Sequence, residues 1–434
     1  MQTPSTHRQP ANLKKAKNHR KLRRIRRILC VLLPVLLLIM IALIVISHRL
    51  QTRPAQTPVA DTPTTNISQT NDPSTDASSG LNDADTPDSQ DSSKTSDALE
   101  NDEPEADSDD TDSTPVTLVF TGDVLLSDYV LNNYNQNGIE GVVSPKLLSE
   151  LQQADLTIIN NEFPFSTRGS QAPDKQFTFR VDPSYVRVLT DMGVDIAGLA
   201  NNHVLDYGAD ALLDTFDTLD QAGIDYMGAG VDLDRASRLI TRQIGGQTFG
   251  FLAASRVIPV VSWDVANASP GVFTTYDPAR LVAAIKAARA QCDYLTVMVH
   301  WGIERDAYPQ EYQTQLAMQY IDAGADLVIG AHPHVLQGVA YYQNKPICYS
   351  LGNFIFNQEI PKTAIVKVTV AKDTDPVVQF LAASASGAYT SLCTADKKTA
   401  VYDYLEQISD GISDEISGGV SIDSEGFLSP KAGQ

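Results

Sequence analysis

The segment Gly330-Ala331-His332-Pro333-His334 most constrains what this chain can fold into. It follows Asp326-Leu327-Val328-Ile329, a run that reads as a buried strand. Two histidines two residues apart in an extended segment point to one side. Pro333 supports that geometry by pushing His332 toward extended backbone angles. A strand end that presents two imidazoles together is half of a metal site. From Val116 onward the chain carries four histidines, His203, His300, His332 and His334, each at or just past the end of a strand-like run. Histidines kept for packing would scatter over helices and loops.

Carboxylates follow the same rule. The run Thr117-Leu118-Val119-Phe120 leads into Thr121-Gly122-Asp123, and Leu156-Thr157-Ile158-Ile159-Asn160 leads into Asn161-Glu162. Ile196-Ala197-Gly198-Leu199 leads into Ala200-Asn201-Asn202-His203, and the strand predicted at 294–299 ends at His300. Helical patterns lie between these runs, at 145–153, 185–192, 209–222, 278–291 and 309–323. Hairpins are predicted across Gly245-Gly246 and across Asn344-Lys345, further strands at 364–370 and 377–383, and a last helix at 400–408 before a Gly/Ser/Asp-rich tail. Strands alternating with helices predict an α/β domain, whose sites open at the carboxyl ends of the strands. The donors gathered there are hard oxygens and borderline nitrogens, with no thiolate. Such a set suits Mn, Fe or Zn in a hydrolytic site better than a structural zinc. Two carboxylates, an Asn oxygen and three imidazoles exceed what one tetrahedral ion needs, which leaves room for one or two divalent metals.

The rest of the 434 residues divides by composition. Residues 1–27 are basic, with no Asp or Glu, and predict a cytoplasmic segment. Residues 28–46 are uncharged and rich in Leu, Ile and Val. At the helical rise they span roughly 28 Å, close to a bilayer core. This predicts a single transmembrane helix with everything after Arg49 outside the cell; a cleaved signal peptide is the alternative, and no Ala-x-Ala-like site follows the run. Residues 51–115 are Ser, Thr, Asp, Pro and Glu with almost no large apolar side chain, which predicts a disordered acidic tether. The domain proper is expected over 116–390, with 391–434 as a C-terminal helix and tail. Its acidity argues against a nucleic-acid partner. Cys292, Cys348 and Cys393 allow one disulfide and a free thiol, or three buried thiols.

Gly122-Asp123-Val124-Leu125, Asn161-Glu162, Ala200-Asn201-Asn202-His203 with Asp206-Tyr207-Gly208, His300-Trp301-Gly302 with Glu304, Gly330-Ala331-His332-Pro333-His334 and Ser350-Leu351-Gly352-Asn353-Phe354 together resemble the capsule-synthesis CapA/PGA_cap family, a branch of the calcineurin-like metallophosphoesterase superfamily. The resemblance spans about residues 117–357. It implies a four-layer α/β/β/α sandwich of metallophosphoesterase type. It also implies that Asp123, Glu162, Asn202, His300, His332 and His334 are metal ligands, and that His203 is the acid that stabilises or protonates the leaving group. The wider superfamily usually has Asp-x-His at the first strand; here that histidine is Leu125.

Glu304 reads either as a catalytic carboxylate or as an exposed loop residue, and Trp301 as packing or as a stacking surface. Arg168 and Arg256 are candidate anion contacts. Two functions compete. One is a metal-dependent hydrolase at the outer surface of the cell membrane, acting on an anionic capsule polymer, poly-γ-glutamate by resemblance, or on a phosphorylated precursor. The other is a non-catalytic assembly component working with other membrane-bound capsule synthesis proteins.

Overall fold

The computed structural model describes residues 114–431 except 266–268, 413–415, 417 and 418. The expected basic segment, membrane span and all but the last two residues of the tether lie outside the described residues. Among those described, no helix is long and apolar enough to cross a membrane.

The expected α/β alternation is present. Strands β1 (Val116–Val124), β2 (Leu156–Asn161), β3 (Ile196–Gly198) and β4 (Asp225–Met227) lie side by side in parallel. Between them run helices α1 (Asp128–Asn137), α2 (Pro145–Gln152), α3 (Arg187–Met192) and α4 (Ala209–Ala222). The second half supplies β5 (Ile240–Ile244), β6 (Gln247–Ser255), α5 (Pro278–Arg289), β7 (Tyr294–His300), α6 (Glu311–Ala323), β8 (Leu327–Ala331), β9 (Val339–Tyr342) and β10 (Lys345–Cys348). The chain then returns to the first sheet through β11 (Asn353–Ile355), β12 (Ile360–Val370), β13 (Val377–Ser386) and β14 (Tyr389–Leu392), followed by α7 (Ala395–Ser409) and a short hairpin of β15 (Val420–Ile422) and β16 (Leu428–Pro430).

The two large sheets among the described residues are both mixed. The 8-stranded sheet runs β14-β13-β12-β1-β2-β3-β4, with β11 also pairing β1; the 6-stranded sheet runs β9-β10-β8-β7-β6-β5. Alternation along the second sheet divides two cores. Phe249, Phe251 and Ala253 of β6, Met298 of β7 and Leu327 and Ile329 of β8 join the first sheet's residues in the central core. Their neighbours Leu252, Ala254, Val297, Val299 and Val328 turn the other way, onto Leu281 and Ile285 of α5 and Leu316 and Tyr320 of α6. Both faces are buried, which is why these strands read as continuous apolar runs. Helix α7 buries Val401, Tyr402 and Leu405 in the central core.

The parallel strands end level with one another, and this sets the site. Asp123 pairs in register with Asn160, and His300 pairs with both Ser255 and Ala331. Gly122 explains how a further segment reaches Asp123. A Cβ at this position would lie 1.9 Å from the Gly352 carbonyl oxygen. The missing side chain lets Gly352 accept from the Asp123 amide at 2.8 Å and brings Asn353 into register with Asp123.

Two expectations need revision, and one open alternative is decided. The segment His332-Pro333-His334 is not extended. Strand β8 stops at Ala331, and His332 and His334 have φ of +100° and +59°, a region side chains rarely occupy. Packing at the sheet edge overrides the influence of Pro333. Helix α1 and strand β14 were not anticipated, because Asn-rich 131–137 and polar 389–392 carry weak periodic signals. None of the described cysteines is bridged: Cys292 and Cys348 are buried thiols and Cys393 a half-buried one.

Candidate metal centre

Two carboxylates from neighbouring strand ends, Asp123 and Glu162, are fully buried. Burial and the nearby Asp123 charge both push Glu162 well above the usual carboxylate range. A single amide ties the two together: Asn160 Nδ2 donates to Asp123 Oδ1 at 2.8 Å and to Glu162 Oε1 at 3.0 Å. Asn201 buttresses this amide, donating to Asn160 Oδ1 at 3.2 Å and to the Asn161 carbonyl at 2.8 Å.

The histidines close round the pair from the second sheet. One ligand atom from each of Asp123, Glu162 and His300 lies within 4.8 Å of the others. His300 Nε2 donates to Asn202 Oδ1 at 2.8 Å, and its Nδ1 lies 3.6 Å from Glu162 Oε1. His334 Nδ1 donates to Asn353 Oδ1 at 2.8 Å and sits 3.2 Å from Asp123 Oδ2, while its Nε2 is 3.9 Å from Glu162 Oε2. The ring centroids of His332 and His300 are 4.7 Å apart. All six residues expected as ligands therefore meet where the strand ends of the two sheets face each other.

Their protonation differs by environment. Burial, reinforced by the neighbouring imidazoles, holds His300 well below the ordinary histidine value and brings His332 down to about 4. His334 goes the other way: burial lowers it, but Glu162 and Asp123 outweigh that and carry it to about 10. Asp123 Oδ2, Glu162 Oε2 and His332 Nδ1 are buried without any hydrogen-bond partner. Buried polar atoms are normally satisfied, and an isolated charge in such a place is costly. Two carboxylates, the neutral imidazoles of His300 and His332 and lone pairs without hydrogen bonds fit a divalent cation, which takes deprotonated ligands and would have to displace the His334 proton.

Beside the cluster, His203 Nδ1 donates to Asp206 Oδ2 at 2.8 Å, and burial lowers the ring despite that carboxylate. Its Nε2 has no partner among the described residues. The ring lines a cleft of about 730 Å³ together with Asn202, His334 and Lys175. Phe179 and Phe356 wall this space, against His203 at 4.6 Å and His334 at 4.8 Å between centroids. Leu125 lines the same cleft, as an apolar surface. Glu304 is exposed at the cleft rim, with no hydrogen bond or ion pair among the described residues. Trp301 is pure packing, fully buried with its Nε1 donating to the Tyr349 carbonyl at 2.9 Å. Arg168 is taken up by an ion pair with Asp214, and Arg256 lies between the rings of Tyr276 and Tyr312. Sequence reasoning did not single out Asn160 or Lys175, and it gave no role to Asn201 and Asp206, although both stand in the motif stretches. Asp206, three residues after His203, had a readable signal in its spacing; Lys175 had none.

The family described as bacterial capsule synthesis protein PGA_cap matches residues 117–358, which hold every one of these ligand candidates. The chain belongs to this family. Among curated relatives of this PGA_cap chain, the PGA biosynthesis protein CapA of Bacillus subtilis is 33% identical over 56% of this chain and 64% of its own. The capsule biosynthesis protein CapA of Bacillus anthracis is 31% identical over 57% of this chain and 61% of its own. The PGA_cap chain thus spans less than two thirds of the length of either relative. A solved hypothetical protein from Thermus thermophilus is similar at 16% identity and a TM-score of 0.40, over 62% of this chain and 100% of that one.

Proposed function

We propose that this PGA_cap chain is a metal-dependent hydrolase of capsule biosynthesis, on a four-layer sandwich of metallophosphoesterase type, held outside the cell by the apolar run 28–46. The observation that carries the hydrolytic reading is the set of buried ligand atoms without a hydrogen bond, Asp123 Oδ2, Glu162 Oε2 and His332 Nδ1, beside an open cleft. Asp123, Glu162 and His300 would hold one ion, and Asn202, His332 and His334 are within reach to share it or hold a second. When bound, a divalent ion polarises a substrate oxygen and makes a nucleophile available from water at neutral pH. The chain's own side chains do the remaining work. Asn160 fixes both carboxylates. Asp206 holds the His203 Nδ1 proton, so the other ring nitrogen is the one left to serve a leaving group. Glu304 meets the substrate at the rim.

The capsule role comes from the two Bacillus relatives, whose names describe PGA and capsule biosynthesis. The corresponding substrate is an anionic capsule polymer or a phosphorylated precursor, and other membrane-bound capsule proteins are its partners. A scaffold reading has one observation in its favour, the apolar Leu125 at the cleft where the superfamily has an imidazole. The test is metal content of the purified chain, with hydrolysis of a phosphoester and of a γ-glutamyl substrate, for the unaltered chain and Asp123→Asn. The hydrolase reading expects bound metal and turnover of one substrate, both lost in the variant. Bound metal without turnover of either, and normal surface polymer in cells carrying a folded Asp123→Asn variant, would leave the scaffold role.

A further inference from the structure

Residues 166–180 contain neither helix nor strand, yet they are strapped tightly onto the loop that carries Asn202 and His203. The Phe179 amide donates to Asp206 Oδ2 at 2.7 Å, and the Ala172 amide to the Asp206 carbonyl at 2.7 Å. Between them, Lys175 turns inward with a side chain only 12% exposed. Its ammonium donates to the Asn202 carbonyl and to Asp206 Oδ1, lies 3.0 Å from His203 Nδ1, and rests 5.2 Å over the Trp263 ring. Lysine is almost never buried unless paired. Here its partner Asp206 is fully buried and already accepts from His203 and Phe179 through Oδ2, so Oδ1 is left for the ammonium. The same ammonium pins the main chain of Asn202, whose side chain meets His300 at 2.8 Å.

We infer that Lys175 is a positioning residue for the metal centre, fixing the turn from Asn202 to Asp206 so that Asn202 Oδ1 and the His203 ring reach the cleft in register. The inference rests on the metal-centre reading proposed above. Groups that orient ligands without touching the ion characteristically change metal affinity or activity by about 10–100-fold when removed.

The test uses the full chain with Lys175→Met and Lys175→Arg, titrated with manganese by calorimetry and assayed on p-nitrophenyl phosphate, with melting curves for each. Lys175→Met should bind manganese about tenfold more weakly and lower kcat with little change in KM. Lys175→Arg, which can reach both acceptors, should recover most of the affinity. Combining Lys175→Met with Asp206→Asn should cost little more than either change alone, because the two act as one unit. Wild-type manganese affinity in a folded Lys175→Met variant, even with a lowered Tm, would reduce Lys175 to a structural residue and overturn the inference. A raised KM with unchanged kcat and affinity would also overturn it, in favour of direct substrate contact. If Lys175→Met does not fold, Lys175→Gln takes its place beside Lys175→Arg. Manganese binding without hydrolysis of p-nitrophenyl phosphate in the unaltered chain defeats the phosphoester form of the hydrolase reading alone, and the affinities still decide Lys175. No manganese binding in that chain removes the centre and this inference with it.

Discussion

Metal binding at this centre should release protons, and the structure says how strongly. The metal-free chain holds His334 protonated up to about 10, because Glu162 and Asp123 outweigh the effect of burial. Glu162 itself is raised by burial and by Asp123. An imidazolium cannot ligate a cation, so loading displaces the His334 proton and any proton still on Glu162. At about pH 7, roughly three units below the His334 value, displacing that one proton costs about 4 kcal/mol, or about a thousandfold in affinity. Apparent manganese affinity should therefore rise about tenfold per pH unit between about pH 7 and pH 9. Calorimetry at about pH 7.5 in buffers of different ionisation enthalpy measures the release directly, and at least one proton per ion is expected. His334→Ala should lower that number by about one. Affinity that does not change with pH, with no proton released, would refute the idea that the two carboxylates keep His334 charged. The same linkage acts on folding. A pKa raised in the folded state stabilises fully below the ordinary value of 6.5 and is lost as pH rises through about 10. The metal-free chain should thus melt at a lower temperature at about pH 9 than at about pH 6.5.

Three further outcomes can be checked with single variants or intact cells. His332→Ala and His334→Ala should lower metal occupancy by element analysis, whereas His203→Ala should leave it largely intact; equal loss in all three would make His203 a ligand. Gly122→Ala puts a Cβ 1.9 Å from the Gly352 carbonyl oxygen and should cost about 2–3 kcal/mol in denaturant melts, with metal affinity falling as Asn353 is pushed from His334; an unchanged melt would deny that this contact is tight. External protease on intact cells should release the domain by cutting within residues 51–115, and a protected domain would reverse the proposed topology.

Much of the fold could be read because its strands are buried on both faces or end in a conspicuous side chain. Tyr294–His300 is fully buried along its length, so its apolar character survives in the sequence as an unbroken run. Where an element has little apolar surface, as in Asp128–Asn137 with only Val130 and Tyr134 buried, the periodic signal fades and the helix was missed. The ligand candidates were readable for a different reason: each lies at or just past a strand end, and parallel strands that end level bring such residues together whatever lies between them.

What could not be read is how those side chains are aimed. His332 and His334 were expected to point together because they are two apart in an extended segment, yet both have positive φ. They converge because remote segments hold them there. The His332 amide reaches Asp123 Oδ1 at 3.4 Å, and the His334 ring is fixed by Asn353, itself seated beside Asp123 only because Gly122 and Gly352 touch. Pro333 biases the angles of one residue by local sterics, whereas the contact of His332 with Asp123 joins positions 209 residues apart in sequence, and the tertiary contacts win. The same distinction separates Asp206 from Lys175. Asp206 reaches His203 across three residues of its own loop, but Lys175 meets both of them from a strap without helix or strand, and no spacing in the sequence encodes that meeting.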